Sequence, residues 1–258
     1  MQSFEINPLK VKKQLVEFIK EEVDKRGFSK VVIGLSGGID STVAAYLAVK
    51  ALGKDNVIGL LLPYGKAFIT DLTIARLAAE NLKIETKEID ISAAVDAACF
   101  LVGCARDKVG KGNIMARIRM IILYDRSRFL NALVLGTGNR SESLLGYCTL
   151  WGDMACAIAP LGSLYKTQVY TLANHLGIPQ TIIKKPPSAG LWEGQIDEDE
   201  LGVTYKEADR LLYFMVDKKY NFDRLRREGF QSSFIYRVKS ILAQAAFKRQ
   251  WPAVPKRS

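Results

Sequence analysis

The feature that most constrains this chain is a short β-branched run, Lys30 to Leu35, that leads into Ser36-Gly-Gly-Ile-Asp-Ser41 and then into an alanine-rich helix from about Ser41 to Leu52. A strand that turns through glycines into a helix places unpaired backbone N–H groups and the positive end of the helix dipole at one point, which is an anion site. Gly37 and Gly38 allow backbone conformations and close approaches that a side chain forbids, and Ser36 and Ser41 add hydroxyl donors. Gly34, Leu35, Ser36, Gly37, Gly38, Ile39, Asp40 and Ser41 are therefore the candidate phosphate cradle. Asp40 would repel phosphate by itself. A Mg²⁺ ion removes the conflict, because hard oxygen ligands suit it and it can bridge carboxylate and phosphate. The Walker pattern is absent, since no lysine follows Gly38, and so is the dinucleotide fingerprint GxGxxG. The rival reading of the loop is a plain glycine turn.

The rest of the chain repeats the strand–helix alternation. Pro8 to Lys25 has helical spacing of Leu9, Leu15, Val16, Phe18, Ile19 and Val23 and stops at Gly27. Asn56–Leu62, Ile84–Ile89 and Ala132–Leu135 read as further strands, and 71–82, 91–102, 113–129, 163–176, 205–218 and 232–249 as helices. Such βα units predict an α/β fold, a parallel sheet with helices on both faces, in one domain over residues 1–258. Residues 184–202 lack periodicity. A long irregular segment in a compact domain is commonly a lid or binding loop, and a mobile lid is the expectation here.

Bulk properties exclude several classes. In 258 residues the hydrophobic share is 48% and the charged share 25%, ordinary for a globular protein. No apolar run approaches the roughly 20 residues of a spanning helix, and Met1 to Lys10 lacks the pattern of a signal peptide, so no membrane and a cytoplasmic location are expected. The single histidine, His175, and four cysteines without CxxC spacing leave no zinc motif. Cys99, Cys104, Cys148 and Cys156 read as free thiols. The net charge of +10 favours acidic partners; its densest runs are Lys10 to Lys13, Arg224 to Arg227 and Lys256 to Ser258, of which the first two read chiefly as solvated faces.

Ser36-Gly-Gly-Ile-Asp-Ser41 resembles the signature of the ATP pyrophosphatases, whose shared step is attack of a substrate oxygen on the α-phosphate of ATP. Later stretches narrow the resemblance. Asn113-Ile-Met-Ala-Arg117-Ile-Arg119-Met, Leu135-Gly-Thr-Gly-Asn-Arg-Ser-Glu142, Gly146-Tyr-Cys-Thr-Leu-Trp-Gly-Asp153, Leu164-Tyr-Lys166-Thr-Gln, Pro187-Ser188-Ala189 and Phe247-Lys248-Arg249 are similar in sequence and order to segments of NAD synthetases, across nearly the whole chain. The resemblance implies an adenine nucleotide alpha hydrolase-like (Rossmann-like) fold. It implies ammonia-dependent, ATP-driven amidation of deamido-NAD through an acyl-adenylate, and a homodimer. It assigns Thr137, Lys166 and Ser188 to ATP beside the loop, and Asp40 and Glu142 to Mg²⁺. Asp40, Glu142 and Lys166 become the catalytic set, with Lys166 clamping phosphate charge. Arg117, Asp153, Phe247 and Lys248 fall to deamido-NAD, while Arg119, two positions along the helix from Arg117, reads as structural.

The chain departs from the commoner family pattern at Leu150, Ala157 and Phe247, where the resemblance would place a lysine, an acid and a histidine. All three positions serve the dinucleotide half. The phosphate loop begins at Gly34, so the expectation is a chain without the amidase domain that some relatives carry. Direct use of ammonia is the expectation, a separate glutaminase subunit the alternative source. Two other readings compete: another adenylating enzyme such as a tRNA-modifying one, which the missing cysteine motifs disfavour, and a nucleotide sensor without turnover, which would not need the Asp40–Glu142 pair. No nucleic acid partner is expected.

Overall fold

The computed structural model describes residues 4–65, 68–104 and 107–255; the basic tail Lys256 to Ser258 lies outside them. Four parallel strands, β1 (Lys30–Gly34), β2 (Val57–Leu61), β3 (Glu85–Glu88) and β4 (Ala132–Val134), form a sheet in the order β3-β2-β1-β4. β1 is central: Val31 lies opposite Val57 on one side and Leu133 on the other. Its residues Val31, Val32 and Ile33 are fully buried, as a strand covered on both faces must be. β3 lies at the edge and reads Glu-Thr-Lys-Glu, all exposed, which discourages pairing with another chain.

Alternation sends Val31 and Ile33 to one face and Val32 to the other. The first face carries α1 (Pro8–Lys25), α2 (Ile39–Leu52) and α3 (Ile69–Leu82). The opposite face carries α4 (Ser92–Val102) and α5 (Lys108–Phe129), which pack Val95, Cys99 and Met115 on Val32, Ile58 and Leu60. α1 starts where Asn7 caps it, accepting the Lys10 N–H at 3.1 Å, with Pro8 in its first turn.

After β4 the chain forms α6 (Arg140–Leu145), α7 (Lys166–Leu176), α8 (Gln180–Ile183), α9 (Asp197–Leu201), α10 (Tyr205–Leu212), α11 (Phe222–Arg227) and α12 (Ser232–Gln244). α7 joins the α1–α2 layer through Val169, Leu172 and Ala173. α6, α10 and α12 enclose a second apolar cluster around Leu144, Leu211, Ile235 and Val238. Among the described residues no helix is long and apolar enough to cross a membrane.

Several boundaries differ from the sequence reading. The helix expected from Asn113 begins five residues earlier, where Asp107 accepts the Val109 N–H at 3.0 Å; Gly110 and Gly112 hide that first stretch from periodicity. The helix expected from Ser163 begins at Lys166. The helix expected over 205–218 is α-helical only to Leu212 and then widens into a π turn, Tyr213–Asp217. The last one tightens after Gln244 into a 3₁₀ turn, Ala246–Arg249. The aperiodic segment 184–202 includes α9, whose five residues carry four acids and too few apolar side chains to show a period.

Candidate active site

Two loops leave adjacent strands at the carboxyl edge of the sheet, the place where open parallel sheets bind ligands. The first runs from Gly34 to Ser41. The Leu35 N–H still bonds Leu60 at 2.9 Å, so the loop departs from a fixed point. Gly37 has φ +74°, and a Cβ there would sit 2.3 Å from the Asp71 carbonyl oxygen; both facts demand glycine. Ser36 and Ser41 pair through their hydroxyls at 3.1 Å, and Ser41 and Thr42 both donate to the Gly38 carbonyl, at 3.1 and 2.9 Å. Gly38 caps α2 without a side chain, which leaves the first N–H groups of the helix unblocked.

The second loop leaves β4 and enters α6 through a capping box. The Asn139 side chain accepts the Glu142 N–H at 3.0 Å, and Glu142 Oε2 accepts the Asn139 N–H at 3.1 Å. Asn139 also donates its amide to Asp40 Oδ1 at 2.9 Å, so one residue ties the two loops together. Between the loops sits Lys166, the first residue of α7. Its Nζ lies 2.5 Å from Asp40 Oδ2 and 3.1 Å from Glu142 Oε1, and its side chain is only 3% exposed. Burial alone would lower the Lys166 pKa, but Asp40 and then Glu142 outweigh it and hold the amine charged above the usual lysine range. Burial raises the Glu142 carboxyl above its ordinary value, against the pull of Lys166.

Behind Lys166 lies a support that sequence patterns did not show. Asp209 on α10 is fully buried; it accepts the Ser141 hydroxyl at 2.5 Å and both the N–H and hydroxyl of Thr167 at 2.8 Å. Ser141 in turn accepts the Lys166 N–H at 2.8 Å. These bonds clamp the starts of α6 and α7 to α10, and with them Glu142 and Lys166.

The loops open on a cavity of about 450 Å³, within the range of small-molecule sites. Leu60, Leu62, Phe68 and Val134 line one part, a surface suited to a flat base, and the carboxylates with Lys166 line another. Of the residues assigned from the sequence, Gly34, Leu35, Ser36, Gly38, Ile39, Asp40, Ser41, Thr137, Glu142, Lys166, Ser188, Asp153 and Lys248 all face this cavity. Asp153 accepts the Thr149 N–H at 2.6 Å, and Lys248 donates to the carbonyls of Gly146 and Cys148 at 2.7 and 2.8 Å. Three assigned residues stand outside the lining. Gly37 lies against Asp71, Arg117 is exposed and donates to the Leu150 carbonyl at 3.3 Å, and Phe247 is 60% exposed.

The arginine that does line the cavity is Arg119, which the sequence reading made structural. Its Nε donates to the Leu62 carbonyl at 3.1 Å, and burial pulls its pKa down to about 10, against the fields of Asp153 and Asp71. Lys185, paired with Asp71 at 2.7 Å, and Asp197, which accepts the Tyr205 hydroxyl at 3.2 Å, join the lining from the 184–202 segment. Lys185 sits in a two-lysine run with no phase of its own, so no sequence signal marked it.

Asp40 and Glu142 are the two carboxylates of the junction that could hold a metal, and among the described residues no third acid, histidine or cysteine joins them in a ligand cluster. They offer hard oxygens and already share one positive charge, a chemistry that would suit a hard divalent cation whose other ligands are phosphate and water. The glycine loop, this charge pair and the cavity together are equipped to hold a nucleotide triphosphate by its phosphates.

The model of the NAD synthase family matches residues 11–252. The chain belongs to the NAD synthase family. The chain is 48% identical over 252 residues to the NH₃-dependent NAD⁺ synthetase of Pyrococcus furiosus, covering 97% of the chain and 96% of that protein. It is 47% identical over 244 residues to the enzyme of the same name from Chlorobaculum tepidum, covering 95% and 88%. Among solved structures it is similar to the NMN synthetase of Francisella tularensis (TM-score 0.86, 37% identity, 97% and 99% of the two chains). The NH₃-dependent NAD synthetase of Campylobacter jejuni superposes with a TM-score of 0.83 at 36% identity, over 97% and 100%.

Proposed function

We propose that this member of the NAD synthase family amidates deamido-NAD with ammonia, splitting ATP into AMP and pyrophosphate. The observation that carries the reading is the junction of Lys166, Asp40 and Glu142 over the α2 N-terminus, inside a cavity that extends to Asp153 and Lys248. The relatives named for the same ammonia-dependent activity support it. The α2 N–H groups and the Ser36 and Ser41 hydroxyls hold the phosphates, with the adenine against Leu60, Leu62 and Phe68. The nicotinate carboxylate attacks the α-phosphate, and pyrophosphate leaves. Lys166 stabilises the charge that develops on the leaving oxygens. Ammonia then attacks the carbonyl carbon of the acyl-adenylate, and AMP departs with one carboxylate oxygen. A carboxylate needs no base to become a nucleophile, so positioning and electrostatics carry the first step. Mg²⁺, held by Asp40 and Glu142, would supply charge neutralisation on the phosphates.

Residues 184–202 act as a lid over ATP in this reading. The segment is fixed at Lys185–Asp71 and by Gln195 Nε2 donating to the Tyr147 hydroxyl at 3.1 Å, and it presents Ser188 to the cavity. The chain works as a homodimer; exposed Val109, Ile121, Tyr124 and Phe129 on α5 give it apolar surface for a subunit contact.

One experiment tests the reaction. The protein is incubated with Mg²⁺-ATP, an ammonium salt and deamido-NAD labelled with ¹⁸O in the nicotinate carboxylate. NAD should form in step with AMP and pyrophosphate, and one label should appear in AMP. AMP without label, or no NAD from folded protein, overturns the proposal. A second reading, the deamido mononucleotide as substrate, is favoured by Leu150, Ala157 and Phe247 on the dinucleotide side and by the likeness to the Francisella NMN synthetase. Comparing kcat/KM for the two acids decides between them.

A further inference from the structure

α4 ends in a turn that brings two thiols together. Gly103 follows its last residue with φ +71°, and the Cys104 N–H returns to the Cys99 carbonyl at 3.1 Å. This is the Schellman closure, a 6→1 hydrogen bond whose two end residues place their side chains in contact. Such contacts are ordinarily apolar. Here both end residues are cysteine: Cys99 is 3% exposed, Cys104 is half-buried, and their Sγ atoms lie 2.8 Å apart. The spacing Cys-x₃-Gly-Cys matches no metal or redox motif, so its meaning lies in the turn.

We propose that Cys99 and Cys104 form a disulfide, made by exchange with a low-molecular-weight disulfide such as oxidised glutathione, and that this bond staples the end of α4 to the strand of chain entering α5. The Cys104 thiolate attacks one sulfur of glutathione disulfide, giving a protein–glutathione mixed disulfide and one free glutathione. Cys99 then loses its proton to solvent and displaces the second glutathione from Cys104 Sγ. Two protein thiols are oxidised, and one glutathione disulfide is reduced to two thiols. The half-exposed sulfur of Cys104 meets the oxidant, and the buried sulfur of Cys99 resolves the mixed disulfide. Burial first, and the neighbouring Cys104 second, push the Cys99 thiol up to about 11, so the second step is slow at neutral pH and quickens as pH rises. The backbone is already closed by the 6→1 bond. The sulfurs need only approach by under about 1 Å to reach bonding distance. The residues inside the ring include Phe100, Leu101 and Val102, which are 85%, 81% and 68% exposed, so the bond fixes an apolar turn that water would otherwise loosen.

The intact protein is equilibrated across a range of oxidised-to-reduced glutathione ratios, acid-quenched, alkylated and digested with trypsin. Fragment Glu88–Arg106 carries Cys99 and Cys104 and neither other cysteine. It should be doubly alkylated under reducing conditions, and lighter by two hydrogens and unalkylated under oxidising ones. The oxidised protein should melt about 5 °C higher, the shift a six-residue ring gives in a chain of this size. Cys99→Ser and Cys104→Ser should each abolish both changes while leaving NAD formation by the folded protein intact, since neither residue lines the cavity. Double alkylation of the wild-type fragment at every ratio overturns the proposal, as does a bond to Cys148 or Cys156. The wild-type fragment decides the matter even if a serine variant fails to fold.

Discussion

Replacing Lys166 by methionine keeps the shape of the side chain and removes its charge. Among the described residues Lys166 is the one cation paired with both Asp40 and Glu142, and the side chains of those acids are only 16% and 18% exposed. Breaking a buried pair from one side typically destabilises by about 3–5 kcal/mol, because the remaining charge loses its partner. The slight exposure of the acids argues for the lower end, about 3 kcal/mol, or about 6–12 °C in melting temperature for a chain of this size. The loss should depend on pH in a defined direction. Glu142 already has a raised pKa through burial, and without Lys166 the opposing pull is gone. A carboxyl whose folded pKa lies above its unfolded value favours folding when protonated, so the variant should lose stability as pH rises from the ordinary carboxylate range through the raised folded value. Saturating Mg²⁺-ATP should restore most of the deficit, since a divalent cation replaces the missing charge. Turnover should remain about 10²–10³-fold down. Denaturant titration of wild type and variant at several pH values, with and without Mg²⁺-ATP, measures the stability changes, and AMP release at saturating substrate measures turnover. A variant within about 0.5 kcal/mol of wild type, or one insensitive to both pH and Mg²⁺-ATP, would show that the two carboxylates do not share a charge as described.

Gly37→Ala sets a Cβ 2.3 Å from the Asp71 carbonyl in a left-handed conformation; it should lose at least about 1–2 kcal/mol from the backbone alone and weaken ATP binding at least tenfold by calorimetry, with unchanged binding counting against a rigid loop. Arg119→Met should raise the KM of an anionic substrate about 10–100-fold with kcat changed far less, whereas exposed Arg117→Met should do less; equal effects would remove Arg119 from the site. Burial pushes the Cys148 thiol up to about 12, so its alkylation in native protein at pH 8 should run about a thousandfold slower than that of a free cysteine and rise about tenfold per pH unit; a fast, pH-flat reaction would contradict its buried setting.

β1, β2, β4 and the glycine loop were legible because a buried parallel strand is a short apolar run, and because Ser36 to Ser41 carries its own turn chemistry. Asp40 stood out as a carboxylate in a phosphate loop, while Glu142 and Lys166 were legible chiefly through resemblance; periodicity gives no hint that residues 24 and 126 positions from Lys166 meet at its amine. What the sequence hid had physical causes. Gly110 and Gly112 masked the start of α5, because glycine lowers helix propensity while Gly112 is needed for close contact with Leu191 and Trp192. Arg119 was assigned away from the site because spacing shows only that it and Arg117 point differently, and the sheet decides which of them faces inward. Asp209 gave no signal, since a buried acid that neutralises nothing on its own helix looks like any helix acid until its partners on α6 and α7 are known.

Asn139 has a consequence for how the site keeps its dimensions. It joins the loop after β1 to the loop after β4, and those strands are immediate neighbours in the ladder. The gap between the two acids is thus inherited from the spacing of hydrogen-bonded strands, about 4.8 Å, rather than set by flexible side chains. The sheet works as a ruler: a substitution that shifts the β1–β4 pairing would change the separation of Asp40 and Glu142 from below, with every residue of the site still in place.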